Sequence, residues 1–331
     1  MMSTVTALSC RVAALVLLAA VLAGCGEGGA QPSPTRTPTP ARVPTARATA
    51  TPVTPVVCAP ALPHASGHFN ESVASGGLTR TFIVHVPAGY DGAKRAPLVL
   101  LFHGFAAGAD FMELYTGIAD AADANGFIAV LPDGQGSPSF WNTGVPGAAD
   151  DVAFVRDLLA KLDGQLCVDP ARVYAAGFSN GGGMAQLLSC DMPDRIAAVA
   201  VVASTHLTCT PHTPVVAFHG DSDPVQRFDG GVGIDVGEPP GVTGTPAPVR
   251  TRLADWAAAL GCDATPAASH PGPDIELSTF SGCSGGGADV LLYVIVGGGH
   301  TWPGGTASLG ATTRTISATS LMWEFFAAHP R

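Results

Sequence analysis

The chain has 331 residues, of which 47% are hydrophobic, and it carries a formal net charge of −10 at pH 7. The first 57 residues contain four arginines and one glutamate, so the remaining 274 residues carry a charge of −13, with only two lysines. So acidic a region is a poor partner for nucleic acid or for an anionic membrane surface, and its length suffices for one large α/β domain.

The N-terminal segment has the pattern of an export signal. Arg11 precedes an apolar run over 12–23, which is about the length of a signal-peptide core and too short to span a bilayer comfortably. The run ends in Leu22-Ala23-Gly24-Cys25, which resembles the lipobox of bacterial lipoproteins. The resemblance implies that residues 1–25 are a signal peptide and that lipidated Cys25 anchors an extracytoplasmic protein to the cell membrane. An ordinary signal peptide with an incidental cysteine is the alternative.

Residues 26–57 predict a linker. They are rich in Pro, Thr and Ala, and they include Thr-Pro steps such as Thr37-Pro38. Proline removes backbone N–H donors and favours extended polyproline geometry, so the segment is expected to be a semi-stiff spacer. It would hold a globular domain, residues 58–331, away from the membrane, although a leader without a role has the same composition.

Predicted strands and helices alternate along this domain. Apolar and β-branched runs predict strands over Thr81–Val86, Pro97–His103, Phe127–Leu131, Arg172–Phe178, Ile196–Ala203, Pro214–His219 and Val290–Val296. Helical spacing predicts helices over Asp110–Asn125, Asp150–Leu162, Asn180–Ser189, Val249–Leu260 and Ser317–Ala328. This alternation indicates a mostly parallel sheet with helices on both faces. The Gly- and Pro-rich stretch 230–248 predicts a long loop, either at the substrate rim or as a plain surface insertion.

The domain contains six cysteines, and an even number in an exported protein favours disulfides. Zinc binding is the competing explanation, but disulfides are favoured over it, so no metal is expected. Of the 15 possible pairings, we favour two that close short local loops and one that pins the N terminus of the domain. These are Cys190–Cys209, Cys262–Cys283 and Cys58–Cys167.

The main chemical signal is Gly177-Phe178-Ser179-Asn180-Gly181, a Gly-x-Ser-x-Gly pattern between a predicted strand and a predicted helix. A nucleophile elbow requires this setting, because only glycine leaves room for so tight a turn. The serine then lies at a helix N terminus, where backbone N–H groups favour a developing anion. A glycine-rich turn with an incidental serine is the alternative, but the flanking elements favour Ser179 as a nucleophile.

A serine hydroxyl needs a base to take its proton, and the order along the chain in this type of site is serine, acid, histidine. His300 is the candidate base, because it follows the last predicted strand and three glycines that could carry it over the sheet edge. The acid should follow the strand Pro214–His219, where Asp221 and Asp223 both occur. Asp223 is favoured, since the preceding residues would form the turn, and Asp221 stays open.

The oxyanion hole of such a site uses two backbone N–H groups, one after the nucleophile and one after an early strand. Asn180 follows Ser179, and His103-Gly104-Phe105 ends an early predicted strand, so the N–H groups of Asn180 and Phe105 are the candidates. His103 precedes the nucleophile, and a structural hydrogen-bonding role suits it better than the role of base.

These motifs together resemble a known family. Four of them occur in order: His103-Gly104-Phe105, Gly177-Phe178-Ser179-Asn180-Gly181-Gly182, His219-Gly220-Asp221-Ser222-Asp223-Pro224-Val225 and Gly299-His300-Thr301-Trp302-Pro303-Gly304. They look like the secreted polyhydroxybutyrate depolymerase and feruloyl esterase family of α/β-hydrolases, including its bacterial lipoprotein members. Phe105 departs from the family pattern, in which a smaller or different residue is common, and this leaves the pocket shape open.

The resemblance implies an α/β-hydrolase fold and a serine ester hydrolase that forms an acyl-enzyme. Ser179 would be the nucleophile, Asp223 the acid and His300 the base, with Trp141 and Trp302 near the substrate. The partner would be an ester, whether small, polysaccharide-linked or polyester, and no cofactor is expected. A serine peptidase of the same fold and a non-catalytic surface-binding lipoprotein are the alternatives, although the filled triad positions argue against the latter.

Overall fold

The computed structural model describes residues 57–204, 209–231, 233–234, 246–285, 289–307 and 310–331. The predicted signal peptide, Cys25 and nearly all of the predicted linker over 26–57 lie outside these residues, as does most of the 230–248 loop. All the described residues belong to one compact unit that spans 40–331.

The described strands form one sheet with a parallel centre and antiparallel edges. In chain order they are β1 (Gly67–Ser75), β2 (Leu78–Val86), β3 (Ala96–Phe102), β4 (Ile128–Pro132), β5 (Val168–Phe178), β6 (Ala198–Val202), β7 (Val215–Gly220), β8 (Ala267–Gly272), β9 (Ile275–Phe280) and β10 (Val290–Ile295). Their spatial order is β1-β2-β4-β3-β5-β6-β7-β10-β9-β8. The run from β4 to β10 in this order is parallel, whereas β1, β2, β9 and β8 pair antiparallel.

Helices cover both faces of the sheet, as predicted. They are α1 (Ala109–Thr116), α2 (Ile118–Asn125), α3 (Asp151–Asp163), α4 (Asn180–Asp191), α5 (Val249–Ala259) and α6 (Ala318–Ala328). Apolar side chains of α3, α4 and α5 pack in one core cluster, and those of α1, α2 and α6 pack in the other. Because the central strands are covered on both sides, they are apolar on both, and all seven residues of β3 are buried.

The sequence analysis missed three strands, and all three lie near a sheet edge. Residues of β1 alternate between exposed and half-buried side chains, and β8 has four exposed residues in succession. β9 connects β8 to the parallel centre. Edge strands lack the continuous apolar run that marks a central strand, so their sequences give a weak signal.

The single helix predicted over Asp110–Asn125 is wrong, because the chain forms two helices there. Gly117 lies between α1 and α2 with a left-handed backbone (φ 64°), and its N–H donates to the carbonyl of Glu113. A left-handed glycine is a common way for a helix to end. The apolar spacing continues through this break, so periodicity alone does not reveal it.

Three disulfides join described residues, Cys58–Cys167, Cys190–Cys209 and Cys262–Cys283, and they are the pairings that the sequence analysis favoured. The first joins residues 109 positions apart and attaches the start of the domain to the segment before β5. Disulfides persist in oxidising compartments, so these three bonds indicate an extracytoplasmic protein. None of the helices within the described residues is both long and apolar enough to cross a membrane.

Candidate active site

Ser179 occupies a sharp turn between β5 and α4. Its backbone has φ 55° and ψ −121°, a positive φ that non-glycine residues rarely adopt. The turn is fixed from the neighbouring strand, because the Ser179 N–H donates to the carbonyl of Val202 at 2.9 Å. Strained backbone of this kind often accompanies function, and here it presents the hydroxyl at the carboxyl end of the parallel sheet.

The glycines on either side of Ser179 are required by close backbone approaches. A Cβ at Gly177 would collide with the backbone of Gly181, and a Cβ at Gly181 would collide with the carbonyl oxygens of Phe102 and His103. The Gly-x-Ser-x-Gly pattern therefore reflects two packing constraints, one across the turn and one between α4 and β3. These constraints explain why the two glycines of the motif predicted a tight turn at Ser179.

The structure brings Ser179, His300 and Asp223 into one hydrogen-bonded chain. His300 Nε2 lies 2.9 Å from Ser179 Oγ, and His300 Nδ1 lies 2.7 Å from Asp223 Oδ2. Since a carboxylate only accepts, Nδ1 carries the proton and Nε2 is free to accept the serine proton. The three residues follow the carboxyl ends of β5, β7 and β10. Because these strands are parallel, their carboxyl ends lie along the same edge of the sheet.

Asp223 and Asp221 have different partners, and this distinguishes the two candidate acids. The Asp223 side chain is fully buried, and its Oδ1 accepts from the N–H groups of Val225 and Gln226 at 2.8 and 2.9 Å. Asp221 instead accepts from the N–H of Gly297 at 2.7 Å. It thereby holds the start of the loop that carries His300, and only Asp223 contacts the imidazole.

His219 is a buried neighbour of this carboxylate that the sequence analysis did not single out. Its Nε2 donates to the carbonyl of Gln226 at 2.6 Å and lies 3.6 Å from Asp223 Oδ2. Burial lowers the pKa of His219, so the ring is neutral near pH 7. His219 thus supports the turn that carries Asp223 without adding a second positive charge beside it.

The backbone N–H groups of Phe105 and Asn180 donate to no acceptor within the described part of the chain. His103 orients the first of them: Gly134 N–H donates to its Nε2 at 2.8 Å, and its Nδ1 donates to the carbonyl of Gly104 at 2.7 Å. The N–H of Phe105 belongs to the same peptide as this carbonyl and points to the opposite side. His103 therefore has a structural hydrogen-bonding role, as the sequence analysis favoured.

The cleft beside Ser179 has an apolar wall that the sequence analysis missed. Phe105, Phe111, Phe178 and Val225 line it together with small residues of the 104–108 loop. Of the described residues that line it, only Ser179 and His300 have polar side chains. Phe178 was part of the Gly-x-Ser-x-Gly motif, but Phe111 lies on α1, and nothing in its local sequence indicates that it faces the cleft.

Trp141 and Trp302, which the sequence analysis placed near the substrate, are buried and are not among the described residues that line this cleft. Their exposed fractions are 0% and 1%. The Trp302 indole donates to the hydroxyl of Thr319 in α6 at 3.0 Å, and the N–H of Trp302 donates to the hydroxyl of Tyr115 in α1 at 2.7 Å. Trp302 thus fastens the segment after His300 to two helices, and both indoles pack inside the domain.

Several known proteins are similar to this chain in sequence. The family described as Esterase PHB depolymerase matches residues 80–255. Feruloyl esterase B of Piromyces equi is 36% identical over 234 residues, which cover 67% of this chain and 42% of that protein. The putative esterase NocK of Nocardia uniformis subsp. tsuyamanensis is 33% identical over 282 residues, which cover 76% of this chain and 80% of that protein.

Solved structures show the same fold at low sequence identity. The acetyl xylan esterase from Aspergillus awamori superimposes with a TM-score of 0.55 at 14% identity, covering 78% of this chain and 99% of that one. Thermogutta terrifontis esterase 2 gives a TM-score of 0.50 at 16% identity, covering 80% and 95%. The fold is thus that of the α/β-hydrolases.

We expect the folded protein to lose stability at acidic pH because His103 is buried. Burial lowers its pKa in the folded state, and protonation would remove the nitrogen that accepts from Gly134. Below about pH 6.5 the unfolded chain therefore binds more protons than the folded protein. The free energy of unfolding then decreases by up to about 1.4 kcal/mol for each unit by which the pH falls. Chemical denaturation between about pH 7.5 and pH 5 measures this slope.

Two variants separate the contribution of His103 from that of other groups. His219 is also buried with a lowered pKa and contributes in the same direction, so His103→Gln is expected to flatten the slope without abolishing it. His270 is exposed on β8, and His270→Gln is expected to leave the slope unchanged. Equal slopes for wild type and His103→Gln would contradict the prediction.

Proposed function

This chain belongs to the esterase PHB depolymerase family of carboxylic ester hydrolases, and we propose that it acts through an acyl-enzyme on Ser179. The observation that carries the proposal is the continuous hydrogen-bonded chain from Asp223 through His300 to the Ser179 hydroxyl. It opens onto a cleft with two backbone N–H groups that have no acceptor among the described residues.

In the first step, Ser179 Oγ attacks the ester carbonyl carbon while His300 Nε2 takes its proton. The buried carboxylate of Asp223 stabilises the imidazolium that forms. The carbonyl oxygen becomes an oxyanion, which accepts hydrogen bonds from the N–H groups of Phe105 and Asn180. When the bond to the alcohol breaks, His300 returns the proton to the leaving oxygen, and an ester between the acyl group and Ser179 remains.

In the second step, water replaces the alcohol. His300 takes a proton from the water, the resulting hydroxide equivalent adds to the acyl carbon, and a second oxyanion forms in the same hole. Collapse of this intermediate releases a carboxylic acid and returns the proton to Ser179 Oγ. Each group therefore acts twice in the same position, which suits a rigidly held site.

The cleft favours an ester with an apolar acyl group. Three phenylalanines and Val225 supply apolar surface beside Ser179, and an aryl or aliphatic chain would be desolvated against them. The relatives include feruloyl esterases, whose name specifies an aromatic acyl group. Among the described lining residues, no side chain outside the triad could bind a ring hydroxyl, so ring hydroxylation should have little effect on the rate.

We also propose that the protein is attached to the membrane by a lipid on Cys25. The support is the position of this cysteine at the end of the apolar run over 12–23, together with three disulfides that indicate export. The Pro- and Thr-rich residues 26–57 would then let the catalytic domain reach esters at some distance from the membrane.

Replacing Ser179 by alanine is the direct test of the acyl-enzyme. We expect kcat to fall by at least about 10⁴-fold on p-nitrophenyl esters, methyl ferulate, acetylated xylan and hydroxybutyrate oligomers, because no other group forms the covalent intermediate. Ser189→Ala is the matched control, since Ser189 is buried in the same helix and donates to the carbonyl of Gln186. It should retain wild-type activity.

The outcome also decides between classes of protein. Wild-type turnover of esters that vanishes in Ser179→Ala supports the proposal, and the order of rates among the substrates identifies the acyl group. If a folded wild-type protein turned over none of these esters, the proposed function would be wrong, and a peptidase or a binding protein of the same fold would take its place. If Ser179→Ala kept its activity, the acyl-enzyme on Ser179 would be wrong.

Phe111 should determine preference for large acyl groups. It is 36% exposed at the cleft and stacks on Tyr115 with ring centroids 5.2 Å apart. We expect Phe111→Ala to raise KM about 5- to 10-fold for aryl and octanoyl esters, because apolar contact is lost, and to leave acetyl esters unchanged. Leu114→Ala is the control, since Leu114 is 72% exposed on the same helix and does not line the cleft. An equal effect on acetyl and octanoyl esters would contradict this role.

Cys25→Ser tests the lipid anchor. In bacterial cells, wild-type protein is expected to incorporate labelled palmitate and to sediment with membranes, whereas Cys25→Ser should do neither, because serine provides no thiol for lipidation. Cys10→Ser is the control, since Cys10 precedes the apolar run and should not be lipidated. If Cys25→Ser stayed in the membrane fraction as tightly as wild type, the anchor would lie elsewhere.

A further inference from the structure

We propose that Trp141 is a positioning residue that holds both backbone donors of the oxyanion hole in their catalytic geometry. The proposal rests on the proposed function, because it concerns the hole that would stabilise the oxyanion formed at Ser179. Trp141 lies in the segment between β4 and α3 and contacts the Asn180 side chain and the His103 carbonyl, which lie beside the two donors. Three hydrogen bonds make these contacts. The Trp141 backbone donates one and accepts one, and the indole donates the third.

The backbone of Trp141 binds the side chain of Asn180. The Trp141 N–H donates to Asn180 Oδ1 at 2.7 Å, and Asn180 Nδ2 donates to the Trp141 carbonyl at 3.1 Å. Two antiparallel hydrogen bonds leave the amide one orientation. Asn180 is the first residue of α4, and its own N–H is one of the two donors, so the clamp on its side chain also restricts the peptide that carries this donor.

The indole of Trp141 binds the peptide that precedes the other half of the hole. Its Nε1–H donates to the carbonyl of His103 at 2.9 Å, and the ring packs edge-on against Phe102 with centroids 5.0 Å apart. The next peptide along the chain is fixed by the His103 imidazole, which donates to the carbonyl of Gly104. The N–H of that peptide belongs to Phe105, so Trp141 fixes the peptide next to the one that carries the second donor.

Trp141 is itself anchored from outside the cleft. The N–H of the following residue, Asn142, donates to Asp151 Oδ2 at 2.7 Å, and Asp151 Oδ1 accepts from Arg80 at 2.6 Å. Both side chains of this ion pair are 1% exposed. A buried ion pair often adds little net stability, but its fixed geometry provides a rigid support for the segment.

Removal of the indole N–H distinguishes a positioning role from core packing, because the two roles lead to different results. Trp141→Phe keeps an aromatic ring and loses the hydrogen bond to His103. If the bond positions the hole, the variant loses stabilisation that is present only in the transition state, so kcat falls while KM stays unchanged. If the residue only packs, kcat stays near wild type and the thermal midpoint alone decreases.

The experiment compares Trp141→Phe with Trp256→Phe in the full-length protein. Trp256 is also buried, and its Nε1 donates to the carbonyl of Thr213 at 2.9 Å, in α5 and away from the cleft. We expect Trp141→Phe to lower kcat on p-nitrophenyl butyrate about 10-fold or more, with KM within about 2-fold of wild type. Affinity for a butyl boronic acid, which forms a tetrahedral adduct with the serine, should fall in parallel. Trp256→Phe should lower only the thermal midpoint.

Asn180→Ala provides a second variant, because it removes both hydrogen bonds to Trp141 and keeps the backbone N–H of residue 180. It should reproduce the loss in kcat and in boronate affinity, and it keeps the proposal testable if Trp141→Phe does not fold. Wild-type kcat in either folded variant, or an equal loss in Trp256→Phe, would overturn the proposal. Failure of the proposed function would look different, since wild type itself would then hydrolyse no ester.

Discussion

The backbone at Ser179 is the constraint on which the rest of the structure around the cleft depends. Its positive φ of 55° is tolerated because Val202 of β6 fixes its N–H and because the glycines on both sides let α4 approach β3 and β5 closely. A turn this tight ends a strand and starts a helix within one residue. The hydroxyl and the first free N–H groups of α4 therefore lie together, which is what attack on a carbonyl requires.

Several polar groups buried around this turn are held by partners that restrict them to one geometry. His103 links Gly134 to Gly104, and Asp151 joins Arg80 to the segment that carries Trp141. Burial also raises the pKa of Asp151, against the opposing effects of the Asn142 N–H and Arg80. Unpaired, such groups would cost free energy, so their pairing couples the stability of the fold to the shape of the site.

Local patterns were sufficient for the centre of the fold and failed at its edges. Central strands such as β3 are apolar along their whole length because helices cover both faces, and the sequence analysis found them within a few residues. β8 is exposed throughout most of its length, so its sequence reads as a loop, and only pairing with β9 makes it a strand. The break at Gly117 was missed for a related reason, since apolar spacing continues across it.

The sequence by itself determined the family and the candidate nucleophile and base, because each depends on a local motif or on order along the chain. It favoured one disulfide pairing among the 15 possible but did not decide it. Only the tertiary structure shows that Asp223, and not Asp221 two residues before it, contacts the imidazole of His300. It also decided that Trp141 and Trp302 are buried and that Phe111 faces the cleft. The direction of a side chain depends on elements far away in the chain, and no local pattern records it.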